Sequence, residues 1–247
     1  MNIELELSED PAESKSHLPF PVVGIGASAG CVAALQALFA NLGEGSGMAF
    51  VVVMHLSPEH ESHIDAILER VTPMRVLQVR EPMHIEPNHI YVISPAMQLS
   101  MEDGHLSVSQ LAKSPGRRMA IDLFFRTLAD AQRERAYCVV LSGTGSDGAL
   151  GLRRVKECGG VTLVQTPEDA EYADMPNSAI ATGAADFILP AVQIGPKLEL
   201  LWDNLQRIEM PEPTASQVGL ALPTSPDAPE QAEQAEQAEQ AEQAEQA

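Results

Sequence analysis

Basic residues are scarce. Fifteen lysines and arginines stand against 35 aspartates and glutamates in 247 residues, a formal charge of −20. A protein that binds a polyanion by neutralising its phosphates needs the opposite balance, so nucleic acid is excluded as a partner. Also lacking is any run of about 18 apolar residues, the minimum for a membrane-spanning helix. The N-terminus MNIELELSED is acidic where a secretory signal is basic and then apolar. The expectation is a cytoplasmic chain with no membrane insertion. Cysteine is limited to Cys31, Cys138 and Cys158, an odd number, in or beside apolar stretches and without a CxxC pair for zinc. Two of them read as small core residues.

The acidity is uneven. Residues 1–18 hold five acids and one base, and residues 208–247 hold nine acids and no base. This leaves 21 acids and 14 bases in residues 19–207, so thirteen of the twenty negative charges belong to the ends. The last 18 residues are six copies of Glu-Gln-Ala. All three residue types favour helix, but a three-residue period drifts around a 3.6-residue helix and offers only alanine as an apolar stripe. Residues 209–229 are rich in Pro, Ser and Ala, which is linker chemistry. Three segments follow: an acidic N-terminal piece (1–18), one domain (19–207), and a disordered linker and repeat tail (208–247).

Within the domain, short apolar runs alternate with helical patterns. PVVGIG (21–26), MAFVVVMHL (48–56), MRVLQV (74–79), HIYVIS (89–94), AYCVVLSG (136–143), GVTLVQ (160–165) and DFILP (186–190) read as strands. Helical spacing appears over 29–42, where Val32, Leu35, Leu38 and Phe39 recur, and over 62–71, 119–134, 148–159, 177–182 and 193–207. Asp103-Gly104 predicts the turn of a hairpin over 97–109. Strands apolar throughout and alternating with helices indicate an α/β fold, a doubly wound, mostly parallel sheet flanked by helices, with an antiparallel hairpin at one edge.

Ligands of such sheets bind beyond the carboxyl ends of the strands. After the first strand comes Gly26-Ala27-Ser28-Ala29-Gly30, a G-x-S-x-G sequence in the strand-then-helix context the motif requires, with small residues where a sharp turn leaves little room. His55 ends the second apolar run and is its only ionisable group. Asp147 lies in the glycine-rich loop SGTGSDG. Ser28, His55 and Asp147 are a nucleophile, a base and a base-orienting acid on one rim. Each has a plainer alternative. Gly24, Gly26 and Gly30 also spell a phosphate loop, although a dinucleotide fold wants an acid where Met54-His55 stands. His55 would serve as a polar strand end, and Asp147 as the N-cap of the helix GALGLRRV, a role compatible with catalysis.

These segments carry a resemblance. VVGIGASAG, VVVMHLSPEHES, IDLFFRTLA, VVLSGTGSDGALGLRRVKECGG and MPNSAIATG, in this order from about residue 20 to 200, resemble the catalytic domain of chemoreceptor protein-glutamate methylesterases, the CheB family. The wording of HLSPEHES and SGTGSDG is most similar to the esterase portion of fused methylesterase–methyltransferase proteins. The resemblance implies a catalytic Ser28, His55 and Asp147. It also implies hydrolysis of glutamyl methyl esters on methyl-accepting chemoreceptors with release of methanol, deamidation of glutamine by the same steps, and no metal or organic cofactor. A receptor methyltransferase is a further implied partner. Oxyanion donors would come from the helix start after Ser28 or from the Gly143–Gly145 loop.

Two departures stand out. Cys31 replaces a glycine the family usually has there, which raises a thiol nucleophile at a helix N-terminus as an alternative. Well-known members carry an N-terminal phosphoacceptor receiver domain of about 100 residues or more, for which residues 1–18 are too few, so constitutive activity or control by a partner is expected. His60 and His63, near Glu59 and Glu61, suggest a metal pair but lack further ligands and read as a solvated helix start. Arg117 and Arg118 either meet an acidic receptor surface or face solvent, and Met119 and Met175 read as core. The rival from another class is a non-catalytic adaptor that binds receptors or a methyltransferase on the esterase scaffold.

Overall fold

The computed structural model describes residues 18–54, 63–95, 97–110 and 119–209. The chain divides into two compact units, Met1–Leu205 and Gln206–Ala247, and the site described below belongs to the first. In chain order the elements are β1 (Val22–Ala27), α1 (Cys31–Ala40), β2 (Ala49–Met54), α2 (Ile64–Leu68), β3 (Arg75–Val79), β4 (Met83–His84), β5 (His89–Ile93), β6 (Met97–Glu102), β7 (His105–Gln110), α3 (Ala120–Gln132), a 3-10 turn (Arg133–Arg135), β8 (Ala136–Val140), α4 (Ala149–Glu157), β9 (Val161–Gln165), α5 (Asp174–Ala181), β10 (Phe187–Leu189) and α6 (Ala191–Glu209).

Seven strands form one parallel sheet in the order β10-β9-β8-β1-β2-β5-β3. Every residue of β1, β2 and β8 is buried, which is why these runs show no polar alternation. From β1 the chain passes through β2 to the edge strand β3 and then inserts β5 between them, before it returns to lay β8 against the other side of β1 and continues through β9 to β10. The order reverses between β1 and β8, and the crevice at their carboxyl ends is the topological switch point where such sheets place ligands.

The hairpin of β6 and β7 turns at Asp103 (φ 47°) and Gly104 (φ 75°), both left-handed as a two-residue type I′ turn needs. It does not extend the parallel sheet. It joins the two-residue β4 in a separate three-stranded antiparallel sheet, which is tied to α3 where Thr127 Oγ1 accepts the Met101 N–H at 3.0 Å.

Helix α3 fixes the geometry of the switch point. Its buried residues Ile121, Phe124, Phe125 and Leu128 recur at helical spacing and lie on β1 where Gly24 and Gly26 leave a flat trough. A Cβ on Gly26 would stand 2.4 Å from Ile121 Cγ2, and one on Gly24 3.0 Å from both Leu128 and Phe125. In α1, Leu35, Leu38 and Phe39 are fully buried, whereas Val32, expected on the same stripe, is 39% exposed, and Cys31 and Ala34 take the inner positions. Cys138 is buried in β8, and Cys158 is partly exposed at the end of α4. Among the described residues no helix is long and apolar enough to cross a membrane.

Candidate active site

Ser28 is the first residue past β1. Its N–H donates to the Ser142 carbonyl at 3.0 Å, so the nucleophile's backbone is tied to the chain leaving β8, across the switch point. The turn that follows ends at Gly30 in the left-handed region (φ 69°), the residue before α1. A Cβ at Gly30 would also strike Glu171 and Tyr172 at 2.7–2.8 Å. The glycines either side of Ser28 thus answer to different neighbours: Gly26 to α3, Gly30 to the loop before α5. Glu171 packs beside Gly30 at the start of α1, and its negative charge disfavours a bound anion there, which counts against the phosphate reading of Gly24, Gly26 and Gly30.

Gly143 closes the floor beside Ser28. A Cβ there would lie 2.2 Å from Met175 Sδ, 2.9 Å from Ser28 Cβ and 3.1 Å from Ser28 N, so no side chain fits. The Gly143 N–H is committed to the Tyr172 carbonyl at 3.0 Å, which removes it from the oxyanion donors suggested by the glycine-rich loop. The loop is held from behind by a polar chain that starts where the Ser142 N–H donates to Gln165 Oε1 at 2.8 Å. Gln165 Nε2 in turn donates to Asp169 Oδ2, which also accepts the Ala191 N–H at the start of α6. The Ser142 hydroxyl donates to the Ala29 carbonyl and accepts the Tyr172 N–H. Gln165→Leu leaves the buried Ser142 N–H without its partner, and about 1–3 kcal/mol of stability is expected to be lost. A thermal melt reads this as a fall of several degrees.

Asp147 is buried, and its carboxylate accepts two backbone N–H groups, Ile121 at 3.0 Å on Oδ2 and Asp122 at 2.9 Å on Oδ1. These belong to the first turn of α3, whose own N-cap position is Met119 and supplies no side-chain acceptor. The sequence offers Asp147, as an alternative, the cap of the helix it precedes. Its two bonds cap α3, while the residue before α4, Gly148, offers no side-chain cap. The cap of α4 comes from the other direction: Asp122 Oδ1 accepts the Gly151 N–H at 2.6 Å. Asp122 is almost completely buried.

Burial raises the carboxyl of Asp122 above its ordinary value; the Gly151 N–H opposes that, the Asp147 charge adds to it, and Arg126 and the Gly148 N–H oppose it. A folded-state value above the unfolded one means that the native state holds a proton the unfolded chain has released, so stability falls as pH rises from the unfolded value through the folded one. Asparagine does not titrate. The melting temperature of Asp122→Asn relative to wild type is expected to increase from pH 4 to pH 7. Parallel melting curves check this, and a difference independent of pH would count against it.

Cys31 is 2% exposed and burial pushes its thiol up to about 11. Thiolate at pH 8 is then only about one molecule in a thousand, so the thiol nucleophile is not supported. Native protein treated with iodoacetamide at pH 8 is expected to react first at Cys158 and to leave Cys31 unmodified, as peptide mass spectrometry would read. Met175 is buried, as expected of a core residue, but its sulfur also walls the serine turn. Met119 is 38% exposed, contrary to the core role expected for it.

His55 directly follows Met54, the last residue of β2, which pairs with Ala27 immediately before Ser28. His55 itself lies outside the described residues, as do His60, Glu59, Glu61, Arg117 and Arg118. His63 is exposed at the start of α2. Among the described residues no group of three or more His, Cys, Asp or Glu is placed to hold a metal ion.

Residues 23–198 match the family model described as CheB methylesterase. A provisionally named protein-glutamate methylesterase/protein-glutamine glutaminase of Leptospira interrogans is 32% identical over 176 residues, which cover 71% of this chain and 91% of that protein. Protein-glutamate methylesterase/protein-glutamine glutaminase 1 of Myxococcus xanthus is 31% identical over 184 residues, 73% of this chain and 53% of its own length. The chain thus spans about half of the Myxococcus protein. Among solved structures, the Thermotoga maritima CheB methylesterase catalytic domain superposes with a TM-score of 0.68 at 26% identity, over 74% of this chain and all of that one.

Proposed function

The chain belongs to the CheB methylesterase family, and from this we propose that it hydrolyses glutamyl methyl esters on methyl-accepting chemoreceptors, with Ser28, His55 and Asp147 as its catalytic groups and residues 19–207 as the catalytic domain. The observation that carries the proposal is the tie between Ser28 and Ser142 at the switch point, with Asp147 five residues further on. It sets a serine on a tight, glycine-flanked turn beside the loop that bears a buried, doubly bonded carboxylate. His55 enters through the chain: it follows Met54, the last residue of β2, which pairs with Ala27 immediately before Ser28.

In this mechanism Ser28 Oγ attacks the γ-carbonyl of the esterified glutamate, and His55 takes its proton and returns one to the leaving methoxide, releasing methanol. The Asp147 carboxylate orients the imidazole and stabilises the imidazolium. Water, deprotonated by His55, then attacks the acyl-serine; the acyl–oxygen bond to Ser28 breaks, His55 returns the proton to Ser28 Oγ, and glutamate leaves. A glutamine at the same position would lose ammonia by the same two steps. The chemistry calls for no metal or organic cofactor. The setting is the cytoplasm, where a receptor methyltransferase would restore the ester and is a candidate partner.

The test is methanol release from methyl-esterified chemoreceptor in membranes, set beside hydrolysis of p-nitrophenyl acetate. The proposal expects the receptor ester to be the better substrate by kcat/KM. Rapid cleavage of the generic ester with an untouched receptor would sink the substrate assignment. No hydrolysis of either would leave the adaptor role.

A further inference from the structure

We infer that Asp122 is a positioning residue of the esterase: it clamps the segment Asp147–Gly151 onto the first turn of α3 and so sets where the Asp147 carboxylate stands relative to Ser28. This rests on the catalytic role proposed above for Asp147.

The two helix starts exchange caps. The N–H groups of Ile121 and Asp122 donate to the Asp147 carboxylate, and the Gly151 N–H donates to the Asp122 carboxylate. Taken singly, each bond is an ordinary cap. Together they fasten both ends of a five-residue segment to two consecutive residues of α3, so Asp147 cannot shift along that helix without breaking bonds at both ends. The glycines of the segment allow this approach. A Cβ on Gly148 would meet Ile121 Cγ2 at 2.9 Å, and one on Gly151 would meet Phe125 Cβ at 2.6 Å and Asp122 Cα at 3.0 Å.

The same turn of α3 touches the strand of the nucleophile, because Ile121 fills the space over Gly26, two residues before Ser28. The path from nucleophile to acid therefore runs from Ser28 through Gly26, Ile121 and Asp122 to Gly151 and Asp147. The placement of Asp122 supports this role. Its carboxyl group is buried between the two segments, and the Gly148 N–H bears on it as well as that of Gly151, so it holds the stretch just after Asp147 at two points. Catalytic geometry is sensitive to such placement: a displacement of about 1 Å is worth about a hundredfold in rate.

The experiment compares kcat and KM for methanol release from methyl-esterified chemoreceptor in wild type, Asp122→Ala, Asp122→Asn, Val155→Ala and Ser28→Ala. Val155 is a buried residue of α4 outside the clamp, so its truncation weakens the helix while leaving both caps. Asp122→Ala is expected to lower kcat about a hundredfold with KM within about twofold. Asp122→Asn, which keeps an acceptor for the Gly151 N–H, is expected to restore kcat to within about threefold, and Val155→Ala to keep kcat despite a lower melting temperature. Wild-type kcat in Asp122→Ala, or an equal loss in Val155→Ala, overturns the inference while leaving the esterase intact. Should Asp122→Ala not fold, Asp122→Glu replaces it. The added methylene moves the acceptor by about 1.5 Å; a loss of kcat at constant KM supports the inference and wild-type kcat overturns it. If wild type releases no more methanol than Ser28→Ala, the esterase proposal itself falls and the inference with it.

Discussion

Ser28→Ala is expected to lower methanol release from methyl-esterified receptor by about 10⁴- to 10⁶-fold, the range seen when a nucleophile that works with a base and an acid is removed. The remaining rate would come from substrate binding and oxyanion donors. The fold should not change with it. The group of Ser28 that ties β1 to β8 is its backbone N–H, which alanine keeps, and the serine turn depends on Gly30 and Gly143, not on the hydroxyl. The melting temperature should therefore stay within about 2 °C of wild type, as for a substitution that removes no structural bond. Cys31 gives no bypass, because a thiol pushed up to about 11 is protonated at the working pH. Substantial methanol release by Ser28→Ala would place the nucleophile elsewhere.

The second large effect belongs to Asp147→Asn. Two consequences are superposed in it, and their magnitudes separate them. As a cap, the carboxylate serves the N–H groups of Ile121 and Asp122. An asparagine carbonyl accepts only one of them on its oxygen and turns an amide N–H₂ toward the other, costing about 1–2 kcal/mol, or a fall of several degrees in melting temperature. As the group that orients a catalytic histidine, its loss is worth about 10⁴-fold in kcat, because the amide favours the wrong tautomer. That factor corresponds to about 5.4 kcal/mol of activation free energy, which a modest loss of stability cannot supply while the protein stays folded. A kcat loss near tenfold with a large fall in melting temperature would mean that Asp147 is only a cap. The pairing with Asp122 predicts more: Asp122→Ala added to Asp147→Asn should cost little further activity, because both act on one carboxylate position.

The parallel sheet was legible because β1, β2 and β8 are buried on both faces and so read as unbroken apolar runs. The hairpin was legible because Asp103 and Gly104 both adopt the left-handed backbone of its turn. Its place was not, since β4 is only two residues long and carries no pattern, so nothing in the sequence set the hairpin apart from the main sheet. Val32 fits the apolar spacing of α1 and is exposed all the same, because periodicity marks a stripe without saying how wide the covered part is. Within the site, the motif around Ser28 and the glycine-rich loop with Asp147 stood out by residue type.

The partners of those residues did not stand out. Asp147 caps a helix that starts more than twenty residues earlier in the chain, and Gln165 reaches back to Ser142. Such bonds are made by tertiary packing and leave no local spacing to read. Gln165 carried one usable signal, an amide ending an otherwise apolar strand beside the site. Asp122 carried another, an acid on the inner face of an amphipathic helix.

The central claim, that Ser28 is the nucleophile of a methyl esterase, is tested most directly by titrating the protein with a serine-directed fluorophosphonate while following methanol release from methyl-esterified receptor. The account predicts that activity falls in proportion to the label incorporated, reaches its minimum at one label per chain, and that the labelled peptide carries it on Ser28. Label on Cys31 or another residue, or full labelling of Ser28 with methanol release intact, would contradict it.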